Sequence, residues 1–310
     1  MPPYSDREGG AVCSLAIARY ATATVSIDDH PAARPEASAP FDDSLVRAAL
    51  RRSDIPDIEA RIDSDFPVGA GLGGSSAAGV ALAGALAALS GATLTPHELA
   101  TLSRETEAEL LGIPGGYQDH FAAAFGGALS LTFGHAGVGV ERITLAASTS
   151  AAFARRSVLV YTGESRISGD TIIAVRDAYL AGERRVVESL AHMKALARDM
   201  AAALRVADLD ALATLVGEHW IHQRALHPAI RTERIDAIVH AAARSGALGS
   251  KALGASGGGC VLAIAEDGRE DELARALAPL GERLAFTVDT NGFEVIAVLD
   301  GQDSNEGAQE

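Results

Sequence analysis

The chain has 310 residues, 48% of them hydrophobic and 22% charged, and a formal net charge of −15. That length suits one large or two ordinary domains, and the balance is that of a globular chain rather than a disordered one. The acidic excess excludes a general nucleic-acid surface, which needs clustered Lys and Arg to displace counterions, but it permits a phosphorylated ligand held by backbone amides or a metal.

In chain order, residues 11–27 are rich in β-branched residues in loose alternation and predict one or two strands. Residues 28–43, with three prolines and four aspartates, predict a surface loop, and 45–53 a short helix. Ile58, Ala60 and Ile62 alternate with polar neighbours across 57–65, the pattern of a half-buried strand. The stretch PVGAGLGGSSAAGVALAGALAAL, Pro67 to Leu89, then sets a glycine loop before a helix that is alanine and leucine on every side. Such a helix belongs between layers, and its free first amides and positive dipole end make an anion site. Thr95 as N-cap, Pro96 at the first position, Glu98 in a capping box and Gly112 as terminator frame the next helix. Residues 113–120 read as a loop and 121–133 as leading into a strand.

Residues 157–163 read as a strand, and 170–245 as helix broken near Ala207 and at Pro228. A second glycine loop enters a strand over 254–266, and 269–280 is a helix. Two strands around Asn291-Gly292 are expected over 284–299, because Asn-Gly is a strong hairpin signal, and a disordered tail over 301–310. Cys13 and Cys260 are the only cysteines, without a CxxC, and neither a signal-type start nor an apolar run of membrane length occurs. The expected setting is cytoplasmic, with no membrane or nucleic-acid partner.

Gly69, Gly71 and Gly74 satisfy G-x-G-x-x-G. A dinucleotide fold, however, needs a second strand after the helix, where this chain runs into another capped helix. Gly73-Gly74-Ser75-Ser76 lacks the lysine of a P-loop, and neither serine stands in a G-x-S-x-G frame. Helix packing alone would explain the glycines but not the serine pair.

Read together, PVGAGLGGSSAA, GGYQDH and KALGASGGGC resemble three motifs of the GHMP family of small-molecule kinases. The family pattern P-x-G-x-G-L-G-S-S-A is met at Pro67, Gly69, Gly71, Leu72, Gly73, Ser75 and Ala77, with Gly74 in place of the usual first serine. Within the family, residues Gly9 to Tyr20, Leu111 to Gly127, Tyr161 to Arg166 and Gly246 to Gly259 look like stretches of sugar kinases of the D-glycero-D-manno-heptose 7-phosphate kinase type. The resemblance implies an α+β fold of two domains, one like ribosomal protein S5 domain 2 over 1–155 and a ferredoxin-like one over 156–300. Against the family pattern the sequence from Met1 lacks the first strand and sugar-contacting loop, which leaves two expectations, a start codon placed too late or a truncated, inactive protein.

The resemblance further implies ATP and Mg²⁺ as cofactors and a sugar phosphate, most simply a heptose 7-phosphate taken at its anomeric hydroxyl, as the acceptor. Pro67, Gly69, Gly71, Leu72, Gly73, Gly74, Ser75 and Ser76 would wrap the ATP phosphates, Ser75 and Glu107 would hold the metal, and Asp119 would be the catalytic base. Gln118, His120, Arg166, Lys251, Gly257 and Gly258 would line the acceptor side. The alternative readings are a helix cap for Ser75 and an Asx-turn residue in its loop for Asp119. His219, His222 and His227 read as core or surface histidines, and Trp220 as packing. Another sugar or cyclitol phosphate is the neighbouring expectation; a catalytically silent sugar- or nucleotide-binding protein is the alternative from a different class. A homodimer is compatible with all of these.

Overall fold

Alternation in 11–27 and 57–65 resolves into strands, and the all-apolar run after the glycine loop into a buried helix. The structure, a computed structural model, describes residues 2–27, 43–53, 55, 58–112, 115–164 and 169–297. The first half contains α1 (Tyr4–Glu8), β1 (Gly10–Leu15), β2 (Ala21–Ile27), α2 (Asp43–Ser53), β3 (Ile58–Ser64), α3 (Gly74–Leu89), α4 (Pro96–Leu111) and α5 (Gln118–Phe125). β4 (Ala128–Gly134), β5 (Gly137–Ile143) and α6 (Ala147–Arg156) follow. The second half contains β6 (Ser157–Tyr161), α7 (Gly169–Leu180), α8 (Arg184–Arg205), α9 (Leu209–Leu226), α10 (Glu233–Arg244), β7 (Ala247–Ala252), β8 (Cys260–Ala265), α11 (Glu270–Leu277) and β9 (Glu282–Arg283). The strands form antiparallel sheets in the orders β1-β4-β5, β2-β3 and β7-β8-β6-β9, an α+β arrangement.

α3 has no polar face because it buries two. Ala78, Leu82 and Leu86 pack on Ile62 and the alternate residues Ala21, Ala23, Val25, Ile58 and Ala60 of β2 and β3. Val80 and Ala83 pack toward Leu99 and Ala100 of α4, Phe121 and Ala124 of α5, and Leu129 and Leu131 of β4. α4 begins with its capping box formed: Glu98 N donates to Thr95 Oγ1 at 3.3 Å, and Thr95 N donates to Glu98 Oε2 at 2.8 Å. Thr95→Ala is therefore expected to lower Tm by about 2 °C, measured by thermal denaturation, because it leaves one helix donor unsatisfied.

The Asn291-Gly292 signal does not produce a hairpin. Among the described residues, 284–297 run as a single strap from the second half back to the first. Leu284 N donates to Leu159 O at 2.9 Å, Ala18 N to Thr287 O at 2.8 Å, Asp289 N to Ala16 O at 3.0 Å and Phe293 N to Ala124 O at 3.2 Å. The Asp289 carboxylate takes the amides of Asn291 and Gly292, so the turn is held by a side chain rather than by strand pairing. Beyond it, the Phe293 ring fills the space that a side chain at Gly84 of α3 would occupy.

β5, α6 and β7 arise where the sequence predicts no element, and 118–125 is helical where a loop was expected to reach residue 120. The predicted loop at 28–43 lies almost wholly outside the described residues, and the tail at 301–310 entirely so. Cys13 and Cys260 are both free, with burial pushing each thiol up to about 12. No helix among the described residues is long and apolar enough to cross a membrane.

Candidate functional site

Between β3 and α3 the chain turns through Gly69, Gly71 and Gly73, each at positive φ. Gly73, at φ 77°, is the N-cap of α3, and no side chain caps the helix. Ser75 is therefore not the cap; it is the second helical residue, which frees its hydroxyl for other partners. The first amide with a backbone acceptor is that of Ala77, bonded to Gly73 O at 2.9 Å. Among the described residues, the N–H groups of Gly71 through Ser76 have no acceptor. Six consecutive free donors at the positive end of a helix form an anion cradle.

The second glycine loop seats directly on this cradle. Cys260 N donates to Ala70 O at 2.8 Å, and a Cβ at Gly71 would stand 3.0 Å from Leu253 O, so the two backbones touch. Gln223 of α9 pins the loop by donating from Nε2 to Gly254 O and Ser256 Oγ, both at 3.0 Å; no sequence signal marked that residue. Gly257 N donates to Ile230 O at 3.0 Å, which commits that amide to the loop itself, and Gly257 and Gly258 are both buried. Ser256 takes a left-handed conformation, φ 65°, between them and Gly254.

Asp119 stands in the first turn of α5, not in a loop, and no Asx-turn forms there. A Cβ built on Gly73 would lie 2.9 Å from Asp119 Cβ and 3.6 Å from its Oδ1, which puts the carboxylate at the mouth of the cradle. Burial pushes the Asp119 carboxyl above the usual carboxylate range. His120 opposes this, Glu107 adds to it, and the Gln118 hydrogen bond and the Lys251 charge oppose it. Lys251 lies on β7 facing the same site; burial pushes its ammonium down to about 8, against the pull of Asp119.

Glu107 reaches in from α4. Its Oε1 accepts from Ser75 Oγ at 2.8 Å and its Oε2 from His120 Nε2 at 2.9 Å. Burial works against ionisation, yet the bonds from His120 and Ser75 and the charge of Arg104 hold this carboxyl below its ordinary range. Ser75 and Glu107 thus bring two hard oxygen donors together at the edge of the cradle, a set that suits Mg²⁺ when phosphates and waters complete the shell. His120 does not line an acceptor surface as the sequence suggests; it is 1% exposed, with ring nitrogens turned to Glu107, Ser76 and Ser103. Arg166 lies outside the described residues. His227 caps the turn at Ala229, His222 stacks on His192 at 4.5 Å, and His219 sits near Lys251 beside buried Trp220.

Two family models match the chain: GHMP kinases N terminal domain over residues 43–127, and GHMP kinases C terminal over residues 200–281. A D-glycero-alpha-D-manno-heptose 7-phosphate kinase of Campylobacter jejuni is 31% identical over 215 residues, 69% of this chain and 63% of that protein. A mevalonate kinase of Pyrococcus horikoshii is 33% identical over 242 residues, 76% of this chain and 68% of that one. The chain thus spans less than two thirds of the length of the heptose phosphate kinase it matches. Among solved structures, a D-glycero-D-manno-heptose 1-phosphate kinase from Bacteriodes thetaiotaomicron superposes with a TM-score of 0.73 at 23% identity, covering 96% of this chain and 94% of that one. L. major mevalonate kinase, solved with R-mevalonate, gives 0.70 at 20% identity, covering 91% and 90%. At those identities the likeness is one of fold.

Proposed function

The chain belongs to the GHMP kinase family, and on that premise we propose that it moves the γ-phosphoryl group of ATP to an alcohol of a small sugar phosphate. One observation carries the reading: the free amides of Gly71 through Ser76 open directly onto the Asp119 carboxylate. Phosphoryl transfer asks a protein mainly to position two oxygens and neutralise charge. The amides at the start of α3 would take the β- and γ-phosphate oxygens, with Pro67, Gly69 and Leu72 shaping the loop. Ser75 and Glu107 would hold Mg²⁺, which when bound neutralises charge on the transferring phosphate.

On the acceptor side, Asp119 would take the proton of the attacking hydroxyl as general base, and a raised pKa makes it the better proton acceptor. Lys251 would keep that carboxylate ionised at working pH and stand near the acceptor with Gln118. In this reading residues 1–155 carry both the ATP-binding loop and Asp119, residues 156–300 form the second kinase domain, and the protein acts in the cytoplasm. The heptose 7-phosphate kinase relative favours D-glycero-D-manno-heptose 7-phosphate at its anomeric hydroxyl. Mevalonate kinases of similar identity keep a different acceptor in view.

The test is ADP release measured with a panel: D-glycero-D-manno-heptose 7-phosphate, other sugar and cyclitol phosphates, galactose and mevalonate. The heptose phosphate is expected to give the highest kcat/KM. A higher value for another alcohol reassigns the acceptor. Binding of sugar and nucleotide with no turnover for any alcohol replaces the kinase reading by that of a silent binding protein.

A further inference from the structure

His120 is enclosed, yet it sits where three elements meet. Its Nε2 lies 2.9 Å from Glu107 Oε2 and 3.2 Å from Ser76 Oγ, and its Nδ1 lies 2.9 Å from Ser103 Oγ. An ionised carboxylate can only accept, so Nε2 carries a hydrogen and donates it to Glu107, while the Ser103 hydroxyl, able to donate or accept, satisfies Nδ1. The ring thereby ties α5, on which it sits, to α3 through Ser76 and to α4 through Ser103 and Glu107. Glu107 in turn meets Ser75 with its other oxygen. The residue before His120 is Asp119, and a helix whose ring is locked inward cannot rotate about its axis, so the carboxylate stays against Gly73.

Resting on the kinase reading, we propose that His120 is a positioning residue that holds both carboxylates of the site in place without touching a ligand. It fixes Glu107 beside Ser75 through a direct hydrogen bond and fixes Asp119 through the orientation of α5. The half-buried Glu107 oxygen left without its donor would swing away or draw in water, since the hydrogen bond that holds it in one orientation is gone. The metal-side oxygens would then have to be organised at the moment of binding instead of beforehand.

Binding of a non-hydrolysable ATP analogue, followed calorimetrically at stepped Mg²⁺ concentrations, tests this apart from turnover. His120→Leu is expected to raise the Mg²⁺ concentration for half-maximal tight binding at least tenfold, while Mg²⁺-free nucleotide affinity changes little. His120→Gln, whose amide reaches as far as Nε2 and donates to Glu107, is expected to restore the wild-type value within about threefold. His120→Asn, too short for Glu107 but able to meet Ser103, should behave like the leucine variant; this pair decides the matter should the leucine variant fail to fold. A lowered Tm with unchanged Mg²⁺ dependence, or equal behaviour of the Asn and Gln variants, makes His120 a packing residue and overturns the inference alone. A wild-type protein that binds no Mg²⁺-nucleotide overturns the kinase reading and this inference with it.

Discussion

Asparagine at position 119 is expected to cut turnover by about 10²–10⁴-fold, the usual worth of a positioned general base, while ATP-analogue affinity stays within a few-fold. The amide has the shape of the carboxylate and fits against Gly73 but cannot accept the hydroxyl proton. In the wild-type enzyme the base form exists above the pKa of Asp119 and is lost as pH falls through it. Because burial raises that pKa, with Glu107 adding to it, the acidic limb of kcat against pH should lie above the ordinary carboxylate range. In the Asn variant that limb should vanish from the residual rate. Full activity there would remove Asp119 from the base role.

The second large effect is expected at Gly73. Alanine at φ 77° costs about 1–2 kcal/mol of backbone strain, and its Cβ would stand 2.9 Å from the Asp119 Cβ. Asp119 or the cradle must shift by a fraction of an ångström to about one, and displacements of that size cost roughly 10²-fold in rate. Gly91 supplies the control: it has φ 72° with nothing within 4 Å of a built Cβ, so Gly91→Ala carries similar backbone strain without a contact. Gly73→Ala should lose stability and about two orders of magnitude in kcat, Gly91→Ala stability alone, measured by denaturation and steady-state kinetics. Equal activities in the two variants would mean that the approach of Gly73 to Asp119 has no catalytic consequence.

What could be read from residue order is what short-range chemistry decides. The capping box closes within Thr95 to Glu98, and its atoms find one another whatever surrounds them. The cradle is announced by glycines that must turn left-handed just before an uncharged run. The contact of Ser75 with Glu107 followed from likeness to a family pattern, since 32 residues separate them. α5 was hidden because its N-cap, Tyr117, offers no side-chain hydrogen bond, so nothing marks the start of a helix before Asp119. β7, Ala247–Ala252, has no β-branched residue and becomes a strand through pairing with β8. The inward bonds of His120 are invisible in sequence, because a histidine beside an aspartate expected to be the base reads as a ligand contact until its neighbours from α3 and α4 are in place. The Asn-Gly turn misled for a related reason: Asp289 satisfies its amides locally, while the flanking residues take partners more than 100 positions away.

The strap sets an order of events during biosynthesis. Gly84 is made early, yet the ring that fills its slot belongs to Phe293 and leaves the ribosome some two hundred residues later. Until then the nascent first half presents an open apolar seam along its central helix, a surface that invites chaperones or neighbouring chains. Synthesis stopped short of Phe293 should therefore yield a product that aggregates, although every residue of the amide cradle has already been translated.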